Sequence, residues 1–432
     1  MTNPLTQSWQ RQLFAPESCV GRVTGASMLR VDFVLPGVSL GDRVSVQTSG
    51  GPRVAEVVQV NGKSVTAQWT EGCAAVRAGS TVRKGVPVAR GIPLSPLAGR
   101  VVRVAEADSF PESTPAAESV LRPAPQKREP STGLHTGVAA LDAMLPLIRG
   151  QRTVLMAGSG VGKSSLLRLL AETWHGRVVL ALIGEREREV LEWNRWLAAS
   201  HHLAIAETAS SSIAERLQSL PISLQLAQSA AAAGEHVLLL VDSMTRWARA
   251  AVQVTDPSAS PRTLPLWVRE RLAQFVEHCG QFDRGSITLV MAVLVERDDV
   301  HDPLADELRS LTDAHWVLDR GRSEAGVWPP LDLTRSVTRL GSLQGGSETH
   351  WARNALRQVF ALVERSRDAV ELGVYRTGES AELDVAIQLE RAWAQLAQRT
   401  RTEPGSAERE LLQLMQRWAS LRSLSSSGGS RP

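Results

Sequence analysis

The sequence predicts an α/β chain in three parts: a small N-terminal β-barrel, a core built on a mostly parallel sheet, and a C-terminal helical domain. Three observations predict it. Short β-rich runs separated by glycine-containing turns fill residues 20–90. From 132 to 345 apolar runs alternate with amphipathic helical segments. From 346 to 422 the pattern is helical throughout. At 432 residues the chain is too long for one small domain, and 43% hydrophobic residues support a sizeable core.

Taken in order, residues 1–19 form an N-terminal segment in which Leu5, Trp9 and Leu13 fall on one helical stripe. Residues 20–90 hold CVGRVTG, LRVDFVL, DRVSVQT, RVAEVVQV and KSVTAQW, whose alternation suits the strands of a small closed barrel. Residues 91–131 read as a linker, because their second half, EADSFPESTPAAESVLRPAPQKREPS, contains five prolines. In the core, TVLMAG, VVLALIG, HVLLLVDS, SITLVMAVL and HWVLD are apolar enough for strands buried on both faces. Segments such as SSLLRLLAETW and LPLWVRERLAQFVEHCG supply the helices between them. In the last domain Leu411, Leu414, Met415, Trp418 and Leu421 repeat at helix spacing, and residues 423–432 read as a flexible tail.

Composition narrows the function. With 48 basic and 45 acidic residues the net charge is only +3, which argues against a dedicated nucleic-acid binder. Cys19, Cys73 and Cys279 are scattered, with no Cys-x-x-Cys, so neither a disulfide framework nor a zinc site is expected. No apolar leader opens the chain, and no uncharged apolar run reaches about eighteen residues. A cytoplasmic protein is expected.

The basic residues are almost all arginine. Only Lys63, Lys84, Lys127 and Lys163 are lysine, and none follows Lys163. Its neighbours explain why an ammonium is kept there. AGSGVGKSSLL, residues 157–167, follows an apolar run and opens an apolar helix. It fits the phosphate-loop pattern, with Ala157 in place of the first glycine. Gly158, Gly160 and Gly162 let the backbone turn tightly, so the amides of the loop from Gly158 through Ser159 and Val161 to Ser165 point at phosphate oxygens, backed by the helix N-terminus. Lys163 is expected to reach the β- and γ-phosphates of ATP, and the Ser164 hydroxyl to ligate Mg²⁺.

Two carboxylates complete the constellation. HVLLLVDS runs into Asp242 at the carboxyl end of a strand, where open α/β sheets bind ligands, and Asp242 is expected in the Mg²⁺ shell. LIGEREREV places Glu185 at the end of another strand. If that strand lies beside the phosphate-loop strand, Glu185 faces the γ-phosphate and activates a water.

Together these stretches resemble a known family. TGVAALD, RGQRTVLMAGSGVGKSSLL, LALIGEREREV, LLLVDSMTRWARA, WPPLDLTRSVTR and LGVYRTGESAELDVAI are similar to the ATPases of type III protein secretion systems, close relatives of the flagellar export ATPase and more distantly of F-type ATPase catalytic subunits. The resemblance implies a RecA-like P-loop ATPase core that energises unfolding, release and export of proteins. It places Glu185 as the catalytic glutamate, Arg339 as the arginine reaching a neighbouring subunit's γ-phosphate, and Trp328 near the adenine. It also implies a homohexamer, stator and central-stalk proteins, chaperone–effector clients, and docking at the inner-membrane export gate, with the 5–13 stripe as a stator-binding helix.

The pattern departs from the family in places. Glu187 stands where glycine is usual, Arg297 replaces another glycine, and the loop TDPSASPRTLPLWVRE lacks the usual glycine–aromatic–proline stretch. Glu187 adds negative charge beside Glu185 and a polyphosphate. At roughly 8 Å and an effective dielectric near 20, two unit charges repel by about 2 kcal/mol. Neutralisation by Arg186 or Arg188 is expected, and replacement of Glu187 by glycine is expected to raise turnover. The flagellar export ATPase is the nearest alternative. A ring component that has lost turnover and an RNA translocase are more distant ones, the latter disfavoured because residues 20–90 carry only Phe33 and Trp69 as stacking aromatics.

Overall fold

The computed structural model describes residues 20–27, 30–49, 51–69, 76–84, 98–104, 127–130, 132–198, 200–255, 264–295 and 302–427. The Leu5–Trp9–Leu13 stripe, Arg297 and the loop residues 256–263 lie outside the described residues.

Strands β1 (Val20–Ala26), β2 (Arg30–Val34), β3 (Arg43–Thr48), β4 (Gly51–Asn61), β5 (Ser64–Trp69) and β6 (Thr81–Lys84) close into an antiparallel barrel in the order β1-β2-β5-β4-β3-β6. Alternation makes the barrel: Val23, Val31, Phe33, Val44, Val46, Val57, Val65, Trp69 and Val82 point inward and are buried.

The core strands are β7 (Val101–Val102), β8 (Lys127–Arg128), β9 (Gly133–Leu134), β10 (Leu147–Ile148), β11 (Arg152–Ala157), β12 (Arg177–Glu185), β13 (Leu203–Thr208), β14 (His236–Asp242), β15 (Gly280–Phe282), β16 (Ser286–Leu294), β17 (Ala314–Val317) and β18 (Val337–Thr338). The main sheet runs β18-β17-β11-β16-β14-β12-β13-β7, parallel from β17 to β7. Helices α1 (Ala139–Met144), α2 (Lys163–Thr173), α3 (Glu187–Leu197), α4 (Ile213–Ala232), α5 (Met244–Thr255), α6 (Leu266–Glu277), α7 (Pro303–Leu311) and α8 (Arg320–Glu324) accompany it.

Both faces of the sheet are covered, which is why its strands are continuously apolar. Val154 and Met156 of β11 enter one core and Leu155 and Ala157 the other; Val237, Leu239 and Val241 of β14 alternate in the same way with Leu238 and Leu240. The C-terminal helices α9 (Ser347–Glu371), α10 (Ala381–Ala397) and α11 (Ser406–Ser427) pack on the second face. There Leu356, Phe360, Trp393, Leu411, Met415 and Trp418 share a core with α1 and α2.

Two stretches of the expected linker 91–131 belong to the sheet instead. Val101–Val102 adds a parallel edge strand to β13, and Lys127–Arg128 pairs with β15. Each is two residues long, too short to show a period in sequence; Val102 and Val104 are buried, whereas Lys127 and Arg128 are exposed and ion-paired with Glu277 and Asp283. Among the described residues no helix is long and apolar enough to cross a membrane.

Candidate active site

The site is built at the carboxyl ends of the parallel strands. β11 ends at Ala157, and the chain turns through residues 158–162 into α2. Gly162 caps that helix with φ 102°, a left-handed conformation that favours glycine. A β-carbon at Gly162 would also lie 2.5 Å from Cζ3 of Trp328, so the indole rests directly on the loop. Trp328 is half-buried and packs on the second core. Ser159, Gly160 and Ser165 are exposed at the mouth, whereas Val161 is anchored in the core beneath. The loop's outer strut is Arg320, which donates to the Ser159 carbonyl at 3.1 Å.

Lys163, Ser164 and Asp242 are brought together. Lys163 Nζ is ion-paired with Asp242 Oδ1, and Ser164 Oγ donates to Asp242 Oδ2 at 3.0 Å. Asp242 is only 2% exposed. A cationic ammonium thus already occupies one oxygen of a buried carboxylate whose other oxygen meets a hydroxyl. One carboxylate with one hydroxyl, the remaining ligands coming from water and phosphate, suits a small hard cation such as Mg²⁺.

Glu185 joins them by a different route from the one expected. Its strand is not beside β11; β16 and β14 intervene. Leu182 pairs with Asp242, and β12 runs on to Glu185 beyond that point, so the carboxylate reaches the site over the end of β14. Glu185 is 4% exposed, and its pKa is pushed up to about 8. Burial is the main cause, followed by the Asp242 charge and a hydrogen bond with Glu189; Lys163 and Arg246 oppose the shift. Arg246 Nη2 lies 3.4 Å from Glu185 Oε2, and its Nη1 donates to the Gly184 carbonyl. Arg246, Glu189 and Arg320 are site residues the sequence reading missed. Of these, the TRW of MTRWARA, one helical turn past Asp242, carried the one available signal, for Arg246.

Glu187 corrects the expectation about its partners. Neither Arg186 nor Arg188 neutralises it. Arg188 pairs with Glu192 at 3.2 Å, one turn along α3, while both Glu187 oxygens accept from one Arg103 nitrogen, at 3.1 and 3.2 Å. Side chains on successive helical positions diverge, so Arg188 points away from Glu187.

Arg339 is not gathered with the others within one chain. It follows β18, is exposed, and forms no ion pair among the described residues. Its backbone amide donates to Asp313, which precedes β17. Arg339 therefore lies by the amino end of β17, the opposite end of the sheet from Lys163, Asp242 and Glu185.

Comparison with known proteins places this arrangement. The nucleotide-binding domain of the ATP synthase alpha/beta family matches residues 137–338, and the type III secretion EscN ATPase C-terminal domain matches residues 347–416. The flagellum-specific ATP synthase of Treponema pallidum is 33% identical over 415 residues, 89% of this chain and 90% of that protein. The type 3 secretion system ATPase of Pseudomonas savastanoi pv. phaseolicola is 33% identical over 85% of this chain and 87% of its own. The chain belongs to the ATPase family of type 3 secretion and flagellar export. The fold agrees: the assembled EscN ATPase of enteropathogenic E. coli is similar with a TM-score of 0.77 and 27% identity, over 92% of this chain and 99% of that one. The same ATPase in complex with its central stalk EscO aligns with a TM-score of 0.71 and 26% identity, over the same shares. This export ATPase binds nucleotide, hydrolyses ATP and serves as an export motor.

Proposed function

We propose that this export ATPase hydrolyses Mg²⁺-ATP at sites shared between subunits of a homohexameric ring and powers protein release into a type III secretion apparatus. The observation that carries the reading is the buried Glu185 carboxylate, held with Lys163, Ser164 and Asp242 at one end of the sheet.

Each residue has a role that follows from its place. The loop amides from Gly158 to Ser165 cradle the phosphates. Lys163, once released from Asp242 by the incoming nucleotide, neutralises the transferring phosphoryl group. Ser164 and Asp242 would hold Mg²⁺, which supplies positive charge to the phosphate oxygens. Glu185 orients the attacking water and accepts its proton, and Arg246 fixes the aim of that carboxylate. Trp328, standing on Gly162, offers a flat apolar face to the base of the nucleotide. Arg339, at the far end of its own sheet, is placed to serve a neighbour.

The secretion assignment rests on the match of the C-terminal domain and on the likeness to EscN; the assembled state and the stalk complex of that ATPase support a ring and a stalk partner here. The stator, chaperone–effector complexes and an inner-membrane export gate are the further partners we assign, with the protein cytoplasmic and peripheral to that membrane. A flagellar export role is the second reading, favoured by the equal identity to the Treponema protein. The test is phosphate release by the full chain, with particle size measured with and without a non-hydrolysable ATP analogue. Turnover that is lost in Glu185→Gln, with a ring that forms on the analogue, supports the reading. Full turnover in Glu185→Gln overturns the role of Glu185.

A further inference from the structure

We propose that Arg103 and Glu187 form a positioning pair that fastens the start of α3, and through it the Glu185 carboxylate, to the segment leading from the barrel into the core. The proposal rests on the reading of Glu185 as the catalytic base.

The need for such a fastening lies in the strand itself. The pairing of β12 with β13 slips between Ile183 and Glu185, and Gly184 at the slip has φ 68°. An irregularity of this kind re-aims a side chain and loosens the ladder locally, so sheet register alone does not set Glu185. Glu185 itself is held by the Ala209 amide on its carbonyl and by Arg246 beside its carboxylate, and the next residue tied to another part of the molecule is Glu187, the first of α3, one residue beyond Arg186.

Its anchor is firm. One Arg103 nitrogen donates to both Glu187 oxygens; the other donates to the Ala206 carbonyl of β13 at 3.1 Å and lies 3.9 Å from Glu207. Buried Glu207 in turn accepts from the Val104 amide at 2.6 Å. The Val101 amide donates to Asn194, further along α3, at 3.2 Å, and the Gly99 amide donates to the His202 carbonyl. Residues 99–104 therefore grip both α3 and β13, and Arg103 reaches the end of α3 nearest Glu185. An exposed ion pair adds little to stability, but the Arg103 guanidinium is itself held by Ala206 and Glu207, so it fixes where the Glu187 carboxylate lies. Glu187 is also well placed at a helix N-terminus, where a carboxylate meets the positive end of the dipole. The consequence of losing the pair is thus expected in turnover rather than in melting, and it runs against the sequence expectation that glycine at 187 would raise turnover.

The test uses the full chain. ATP kcat, KM and melting temperature are measured for Arg103→Ala, Glu187→Ala, the double variant, Arg103→Lys and Glu185→Gln. Glu187→Ala is the decisive single variant, because the Glu187 side chain is 60% exposed and its loss leaves no buried group unpaired. We expect each alanine to lower kcat by about threefold to tenfold, the scale of a catalytic group misaimed by a fraction of an ångström, with KM changed less than about twofold. The double variant should be no slower than the slower single, and Arg103→Lys should recover part of the loss. Unchanged kcat in Glu187→Ala, or losses that multiply in the double variant, overturns the pair. So does a fall in kcat that merely follows a fall in melting temperature. Full activity of Glu185→Gln overturns instead the role of Glu185, which separates the two failures.

Discussion

Lys163 is ion-paired to Asp242 while the neighbouring Ser164 hydroxyl donates to the other oxygen of the same carboxylate. The ammonium and a divalent cation therefore compete for one acid. Lys163→Ala should lower turnover by about a hundredfold or more, since a positive charge aimed at the transferring phosphoryl group is lost. Asp242→Asn should shift the Mg²⁺ dependence of the ATPase to higher concentration. Phosphate release titrated with Mg²⁺ checks both; near-normal turnover in Lys163→Ala would remove the loop from the mechanism.

The pKa of Glu185 near 8 has two consequences of opposite direction. A base must be ionised, and kcat/KM reports the free enzyme, so kcat/KM should rise with pH up to about 8 and then level. Stability runs the other way. The native acid binds its proton more tightly than the unfolded one, whose value is 4.5, so between about 4.5 and 8 the contribution of Glu185 falls as pH rises. The nucleotide-free protein should lose more melting temperature between about pH 6 and pH 8 than Glu185→Gln does. Parallel melting curves for the two proteins would show that Glu185 ionises at an ordinary pH.

What the sequence revealed and what it hid follow from range. The loop at 157–167 is legible because its chemistry is contiguous, and Asp242 because a strand end is marked by an abrupt charge. The order of strands is not: nothing in VVLALIG tells that β16 and β14 stand between it and β11, since all four runs are equally apolar. Arg103 lies 84 residues from Glu187 and inside an expected linker, so its contact exists only once Val101–Val102 has joined the sheet. Arg320 is likewise visible only as a surface arginine until the fold carries it to Ser159.

Gly162 and Trp328 make a third test. Gly162→Ala forces a β-carbon into left-handed backbone, which costs roughly 1–2 kcal/mol, and drives it against the indole. The loop or the tryptophan must then move. We expect weaker ATP binding with a small loss of melting temperature. Trp328→Ala removes the obstruction together with the ring's own contact to the base, so the double variant should bind ATP as Trp328→Ala alone does if the clash dominates. Fluorescent-nucleotide titration measures this. A double variant that binds more weakly than Trp328→Ala would assign the defect to backbone strain rather than to the ring.

Arg339 carries the prediction about the assembly. Its backbone is bonded to Asp313, ahead of β17, whereas Lys163 follows the far end of β11, the strand beside β17. The four residues of β17 at about 3.3 Å each, with four strand spacings sideways from β17 to β12, exceed what one arginine spans toward its own Glu185. Either Arg339 acts on a neighbour's nucleotide or it does not act in catalysis. Arg339→Ala should lower turnover on the order of 10³-fold if it stabilises the transferring phosphoryl group in trans. Mixing then discriminates. An interface that joins the intact Glu185 of an Arg339→Ala subunit to the intact Arg339 of a Glu185→Gln subunit is whole. In an equal random mixture about a quarter of head-to-tail interfaces are of this kind. Activity well above both parents, rising as rings exchange subunits, is the expected result. A residue acting within its own chain would give only the average of two inactive proteins, whatever the mixing time, and that flat outcome would rule out the shared site.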